Sequence, residues 1–317
     1  MKIAVGIYGP PAWTLPARYV EQLRTRFPGI EFAHANSDEE LKEALRDSDA
    51  TFSSVVRDDA FQQAGKLRWI HASSAGIGSM LYPSLVESDV VLSNSRGIMS
   101  EWIAEHVLSV ILAWQRGLHL ALRRQTERVW AQVEIADWQR PVRDTRVLIV
   151  GYGSIGRSIA DKCGLMGMSF TPMRRRTGHR MASLEQLPVE LPEHDVVVLS
   201  VPHTRETHGF FNREMIARMN PGSLLINVGR GKLVDEAALI DGLRQGRPGG
   251  AALDVFEHEP LADNSALWSM DNVIITPHVA GFGHGFWEAM VGLFSRNLEG
   301  WLKGEPLENV VDKRRGY

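Results

Sequence analysis

A single cysteine, Cys163, occurs among the 317 residues, so neither an intrachain disulfide nor a cysteine-built metal cluster is possible. A reducing compartment fits such a chain best. No apolar run approaches the roughly 18 residues that span a bilayer, and the opening "MKIAVGIYGPPAW" is soon broken by Gly and Pro. The expectation is a cytoplasmic globular protein with no membrane partner and no metal. Neither sign of charge dominates: 35 Lys and Arg stand against 38 Asp and Glu, a formal charge of -3. That balance argues against a dedicated nucleic-acid binder, whose domain is usually strongly basic, but leaves room for a local anion site. Low-complexity sequence is missing, and the only internal repetition is a doubling of α/β pattern.

What is there is ordinary for a folded chain, 44% apolar and 23% charged, and its length calls for two domains. "KIAVGIY", "ATFSSVV", "LRWIHAS" and "DVVLSN" read as short buried strands, with helix-compatible stretches such as "SDEELKEALRDS" between them. Asp38, Glu39 and Glu40 fall in a first helical turn, where carboxylates suit the positive end. Such alternation predicts a parallel sheet covered on both faces over residues 1–97. A helix is expected from Ser100, as its cap, to Leu118. Its apolar positions are too dense for one solvated side, so it either has two packing partners or is wholly internal. A second α/β unit follows over 98–283, with strands at 146–150, 169–173, 195–201, 223–229, 250–255 and 272–278. Helices are expected near 213–219, 235–245 and 285–302. The last one should return the chain to the first unit as 284–317, because the tail "EPLENVVDKRRGY" has no sheet of its own to join.

Gly151, Gly153 and Gly156 form G-x-G-x-x-G between the strand "RVLIV" and a helix. The first glycine permits the turn, the second lets a pyrophosphate approach the backbone, and the third packs helix on strand. The ligand charge then meets the N–H groups at the helix start, here at Ser154 and Ile155. A glycine-rich tight turn is common by itself; this context favours dinucleotide binding. NAD sites of this type usually end the second strand with Asp or Glu, whereas this chain offers Arg174, Arg175 and Arg176. Three readings of these arginines compete: a solvated loop, part of a nucleic-acid patch, or a socket for one anion. After the glycine turn the preferred reading is the 2′-phosphate of NADP(H), held by charge-assisted bonds, with NAD(H) possible above a merely basic loop.

The segments "AEHVLSVILAWQR", "VGYGSIGR", "SVPHTRETHGFFNREMIARMNPGSLLINVGRGKLVDEAALIDGL", "AALDVFEHEPL" and "VIITPHVAG" together resemble the D-isomer-specific 2-hydroxyacid dehydrogenase family. The resemblance runs over nearly the whole chain. It implies two Rossmann/flavodoxin-like parallel-sheet domains with the active-site cleft between them, the cofactor domain inserted into the substrate domain. It also implies Arg230 of "NVGRG", Glu259 of "DVFEHEP" and His278 of "TPH" as the catalytic residues. Ala75 and Gly76 of "SSAGIG" would bind the substrate carboxylate by backbone N–H groups, together with Arg230. Cofactor contacts are expected from the glycine turn and its arginines, from Val201, Pro202 and Val228, and from Asp254 and His278 beside the nicotinamide. "VWAQVEIADW" resembles the loop that reaches across a family homodimer, with Trp130 or Trp138 near the partner's pocket.

The chemistry explains the combination. Reducing a 2-oxo acid delivers hydride to the carbonyl carbon while its oxygen gains a proton, and an imidazole suits that donation. Glu259 would orient the ring and favour its charged form, and Arg230 would neutralise charge developing on the oxygen. Taken singly each residue reads more blandly: a lone His after a strand is usually structural, a Glu before a Pro solvated, and Arg230 could cap a turn or pair with Asp235. Departures from the family pattern are His203 where Leu is common, "GIG" at Gly76–Gly78, and "FGHGFW" after "TPHVAG". Phe282, His284 and Trp287 there either shape an apolar pocket or pack structurally. Formate-oxidising members carry Gln at the Glu259 position and phosphite-oxidising ones Lys near Ala75, which leaves small 2-oxo acids such as glyoxylate or hydroxypyruvate, or bulkier aliphatic and aromatic ones. The alternatives are an NAD-dependent enzyme for a bulkier acid and a non-catalytic nucleotide-sensing corepressor.

Overall fold

A computed structural model describes residues 1–174 and 182–316. They divide into two compact units, Met1–Ile98 with His284–Tyr317, and Met99–Gly283. Strands this short and apolar are stable only where both sheet faces are covered. In the first unit β1 (Lys2–Gly6), β2 (Glu31–His34), β3 (Ala50–Ser53), β4 (Trp69–Ala72) and β5 (Val91–Asn94) pair in parallel, in the order β2-β1-β3-β4-β5. Between them lie α1 (Ala17–Arg26), α2 (Asp38–Leu45), α3 (Asp58–Phe61) and α4 (Pro83–Glu87). The Ser37 hydroxyl accepts from the Glu40 N–H at 3.1 Å, which starts α2 with the three acidic residues in its first turn. Strand β2 was not legible because it is an edge strand with one buried residue, Phe32.

The second unit runs α5 (Ser100–Gln115), α6 (Leu118–Glu127), α7 (Gln132–Trp138), β6 (Arg146–Val150), α8 (Ser154–Leu165), β7 (Ser169–Arg174), β8 (Ala182–Ser183) and α9 (Leu187–Glu190). It continues with β9 (Val196–Leu199), α10 (Arg213–Arg218), β10 (Leu224–Asn227), α11 (Glu236–Arg244), β11 (Gly250–Leu253) and β12 (Val273–Ile275). These strands form one parallel sheet, β12-β11-β10-β9-β6-β7-β8. Successive strand residues feed opposite layers. Leu148, Val150, Val197 and Leu199 pack on one face, while Val147, Ile149, Val196 and Val198 pack on the other with α5 and α8.

One expectation needs correction. Ser100 is not a cap: it lies inside α5, its hydroxyl buried without a partner, and Met99 precedes the helix. The tail meets the first unit's sheet at an isolated antiparallel bridge of Val310 to Ser93 on the edge of β5. Asn94 N–H donates to Asn309 O at 3.1 Å and Val311 N–H to Leu92 O at 2.8 Å. The chain reaches that edge through α12 (Phe286–Lys303), which belongs to the first unit. Among the described residues no helix is long and apolar enough to cross a membrane.

In the first unit Phe52 of β3 and Phe294 of α12 stack at 4.3 Å, both wholly buried, with Trp69 beside them. Truncating Phe294 to Ala leaves a cavity between sheet and helix that should cost about 3–5 kcal/mol. Denaturant titration should read this as a lower midpoint for the first unit.

Candidate active site

The strand order of the second unit reverses between β6 and β9, and open α/β sheets bind ligands beyond the carboxyl ends of strands at such a point. There the glycine turn closes directly on the end of β9. Gly151 has φ 111°, and a Cβ on it would lie 2.7 Å from the Ser200 carbonyl carbon and 2.8 Å from Val201 N. Ser200 Oγ donates to Gly151 O at 2.9 Å. A Cβ at Gly156 would stand 2.0 Å from Gly151 O, so α8 starts hard against the turn. Space is open beside Gly153, where nothing lies within 4 Å of a Cβ position. A cradle of backbone with an open side, leading into Ser154 and Ile155 at the start of α8, fits a dinucleotide's phosphates. Val201 and Val228 are buried beside it, and Pro202 is exposed. Arg174 is exposed at the end of β7, the strand next to β6. Arg175 and Arg176 lie outside the described residues.

The segments after β10, β11 and β12 carry Arg230, Glu259 and His278, the side chains expected to be catalytic. After β10, Asn227 accepts from Gly229 N–H at 3.1 Å and donates to Arg230 O at 3.0 Å, fixing the backbone of Arg230. The Arg230 guanidinium donates to Gly229 O at 2.7 Å. Its pKa is lowered by desolvation, against the pull of Glu259. Asp235 instead caps α11, accepting from Ala238 N–H at 2.9 Å. The next residue, Gly231, runs into the segment after β11: a Cβ there would lie 1.8 Å from the Phe256 carbonyl. This backbone contact brings Arg230 alongside Glu259. Phe256 N–H donates to Glu259 Oε1 at 3.0 Å, and His278 Nδ1 pairs with Glu259 Oε2 at 2.6 Å. Burial alone would raise the Glu259 pKa. The bonds from His278 and Phe256 and the charges of His278 and Arg230 outweigh it, and the net shift is downward.

The arrangement can therefore hold an imidazole in one orientation against a persistent carboxylate, with a guanidinium nearby. Asp254, at the end of β11, is 3% exposed. Its carboxylate accepts from Thr276 Oγ1, Val279 N–H and Ala280 N–H at 2.6, 2.9 and 3.0 Å. His203 pairs with His208 at 3.0 Å, and its pKa is lowered by desolvation and by the charges of His208, Lys232 and Arg230. Trp138 is engaged in its own chain, donating to Trp114 O at 2.7 Å, whereas Trp130 is 91% exposed. Phe282 N–H closes a turn on Val279 O, and Trp287 packs edge-on against Phe286. In the first unit, Ala75 and Gly76 lie beyond the end of β4. Their carbonyls are taken by Asn94 Nδ2 at 2.8 Å and Ser74 Oγ at 2.7 Å, and no described residue accepts from their N–H groups. The short helix Gly78–Met80 that follows has no side-chain cap. Among the described residues no group of three or more His, Cys, Asp or Glu could hold a metal.

Sequence reading missed Gly231, Thr276 and the N–H of Phe256. "VGRGK" and "TPH" held the first two, but their partners lie on other strands.

Two parallel α/β units, one with a dinucleotide turn beside an Arg, Glu and His grouping, define a nicotinamide-dependent oxidoreductase. The family model described as D-isomer specific 2-hydroxyacid dehydrogenase, NAD binding domain, matches residues 108–280. The chain is 31% identical over 289 residues to a glyoxylate reductase of Pyrococcus furiosus, covering 87% of this chain and 85% of that protein. It is 32% identical over 310 residues to glyoxylate/hydroxypyruvate reductase B of Serratia proteamaculans, covering 94% and 95%. The structure of an NADPH-dependent glyoxylate/hydroxypyruvate reductase from Sinorhizobium meliloti, solved with NADP and sulfate, superposes with a TM-score of 0.84 at 28% identity, covering 100% and 99%. The chain belongs to the D-isomer-specific 2-hydroxyacid dehydrogenase family. It is an NAD(P)-dependent oxidoreductase acting on the CH–OH group of 2-hydroxyacids.

Two outcomes follow from this geometry. The Gly231→Ala variant should fold, yet lose about tenfold or more in kcat/KM, because Arg230 and Glu259 are forced apart; steady-state assays beside circular dichroism check this. Glu259 has a depressed folded pKa, so the stability its charge contributes is present above the ordinary carboxylate range, about 4.3, and is lost as pH falls through the folded value. Glu259→Gln should melt below the wild type at neutral pH, the gap closing in acid; a gap independent of pH would contradict the assignment.

Proposed function

We propose that the protein is an NADP(H)-dependent reductase of small 2-oxo acids, with glyoxylate and hydroxypyruvate as the leading substrates. The observation that carries this reading is the 2.6 Å bond between Glu259 and His278 on segments in contact with that of Arg230. Nicotinamide, when bound at the glycine turn, supplies the hydride. His278, its Nδ1 held by Glu259, gives the proton to the carbonyl oxygen from Nε2 and recovers it in the oxidation direction. Arg230 binds the acid's carboxylate and counters negative charge building on the oxygen. The Ala75 and Gly76 N–H groups serve as further donors to that carboxylate, and Val201, Pro202 and Val228 line the nucleotide's path.

Arg174, with Arg175 and Arg176, takes the 2′-phosphate in this reading. An exposed guanidinium where NAD sites place a carboxylate supports it, as does the NADP carried by the Sinorhizobium relative. The names of the Pyrococcus and Serratia relatives support glyoxylate and hydroxypyruvate. A homodimer belongs to the same reading, because α6, α7 and the link between them leave Leu122, Trp130 and Val133 exposed.

The test is an absorbance assay with NADPH and NADH across glyoxylate, hydroxypyruvate, pyruvate, phenylpyruvate and branched 2-oxo acids. Turnover should be fastest with NADPH and with glyoxylate or hydroxypyruvate as the acid. Replacing Arg174 and Arg175 by Ala should raise KM for NADPH about tenfold or more and leave KM for NADH little changed. Equal losses with both nucleotides would reject the phosphate socket.

A further inference from the structure

A trans peptide points its N–H away from its own carbonyl oxygen, so whatever holds the oxygen decides where the N–H is offered. The loop after β4 is held by its oxygens. Ser74 O accepts from Ser95 N–H at 3.2 Å, Ala75 O from Asn94 Nδ2 at 2.8 Å, and Gly76 O from Ser74 Oγ at 2.7 Å. The peptides joining Ser74, Ala75 and Gly76 are trans. Ser95 and Asn94 are 0% and 2% exposed, so the first two oxygens turn inward to the end of β5. The Ala75 and Gly76 N–H groups therefore turn away from it, and Gly76 itself is exposed.

Asn94 is fixed in turn. Its Oδ1 accepts from Arg96 N–H at 3.2 Å, which leaves Nδ2 to face Ala75 O. Behind it stands the C-terminal tail. Asn94 N–H donates to Asn309 O at 3.1 Å, and Asn309 Nδ2 donates to Arg96 O at 2.7 Å. Asn309 has φ 56°, a left-handed conformation that asparagine adopts more readily than most residues. One residue earlier the tail is anchored on α12: Asn297 Oδ1 accepts from Glu308 N–H at 2.7 Å, and Asn297 Nδ2 donates to Glu308 O at 3.1 Å. Three carboxamides thus connect α12, the tail and the loop after β4, all within the first unit.

We propose that Asn94 is a positioning residue for the substrate: its carboxamide holds the Ala75–Gly76 peptide so that the Gly76 N–H is offered to the acid's carboxylate, and Asn309 of the tail holds the turn of Asn94 in place. This rests on the reading, given above, of the Ala75 and Gly76 N–H groups as donors to that carboxylate. The carboxylate keeps its charge from 2-oxo acid to 2-hydroxy acid. Donors to it therefore bind ground state and transition state alike, and their misplacement falls on KM rather than on kcat.

The test compares Asn94→Leu, Asn94→Ala and Asn309→Gly in the full-length protein. Leu keeps the approximate size of Asn, adds no charge and removes both donor and acceptor. Gly at 309 adopts the positive φ freely and removes only the bond to Arg96 O. Steady-state kinetics with glyoxylate and the Kd for NADPH by nicotinamide fluorescence are measured on each. Magnetic resonance of wild-type protein isotope-labelled at the amides of Ala and Gly, loaded with NADP and titrated with oxamate, reads the loop directly. The Ala75 and Gly76 amide signals should move with oxamate. Both Asn94 variants should raise KM for glyoxylate about tenfold or more, while kcat and the Kd for NADPH stay within about threefold. Asn309→Gly should show the same split, with KM raised about threefold or more. If the Asn94 variants fail to fold, Asn309→Gly decides alone. Wild-type KM in the variants, or a loss shared equally by kcat and NADPH affinity, would overturn the positioning role. Wild-type Ala75 and Gly76 signals unmoved by oxamate would instead sink the carboxylate reading of the loop, which separates the two failures.

Discussion

A carboxylate oxygen 2.6 Å from an imidazole nitrogen is the interaction on which the rest of this molecule turns. An imidazole alone can rotate, change tautomer and lose its proton to solvent. Pinned at Nδ1 by Glu259, it presents one face and keeps a counter-charge at hand. The carboxylate is itself kept ionised, because the His278 and Phe256 bonds and two cationic neighbours overcome the desolvation that would protonate it. The carboxylate therefore owes its charged character in part to the ring it holds.

The parallel sheet supplies the means of assembling it. Residues 230, 259 and 278 are far apart in the chain, yet they follow three adjacent strands, β10, β11 and β12. Parallel pairing puts the carboxyl ends of all three on one side, and the glycine turn after β6 opens on that same side. Close backbone approaches then set the fine spacing: the Gly231 segment against Phe256, and the glycine turn against Ser200. These are contacts that any Cβ would spoil, so the site's dimensions are written in the absence of side chains as much as in their presence. Behind it, Asp254 joins the end of β11 to the turn after β12 through side-chain as well as backbone bonds.

Features decided by local chemistry were legible in the sequence. The acidic first turn of α2, the strand–glycine–helix passage at 146–165 and the apolar strands of both sheets announce themselves within a few residues. Features decided by distant partners were not. Strand β2 exposes most of its residues and exists because β1 offers it a pairing edge. Ser100 has the chemistry of a cap but sits one residue too late, inside a helix that packs on α8. Asp254 could be matched to a family position, but its bonds to Thr276, Val279 and Ala280 cross 22 to 26 residues of chain and become visible only when the turn is folded.

In the proposed reaction the paired imidazole and the guanidinium meet on the oxygen of one bound acid. A crystal structure of the protein with NADP and oxamate, an unreactive isostere of a 2-oxo acid, measures that directly. His278 Nε2 and an Arg230 nitrogen should both lie within hydrogen-bonding distance of the oxamate amide-carbonyl oxygen, with the Glu259 bond intact. Oxamate bound with the imidazole turned away from that oxygen, or with Glu259 released from His278, would contradict it.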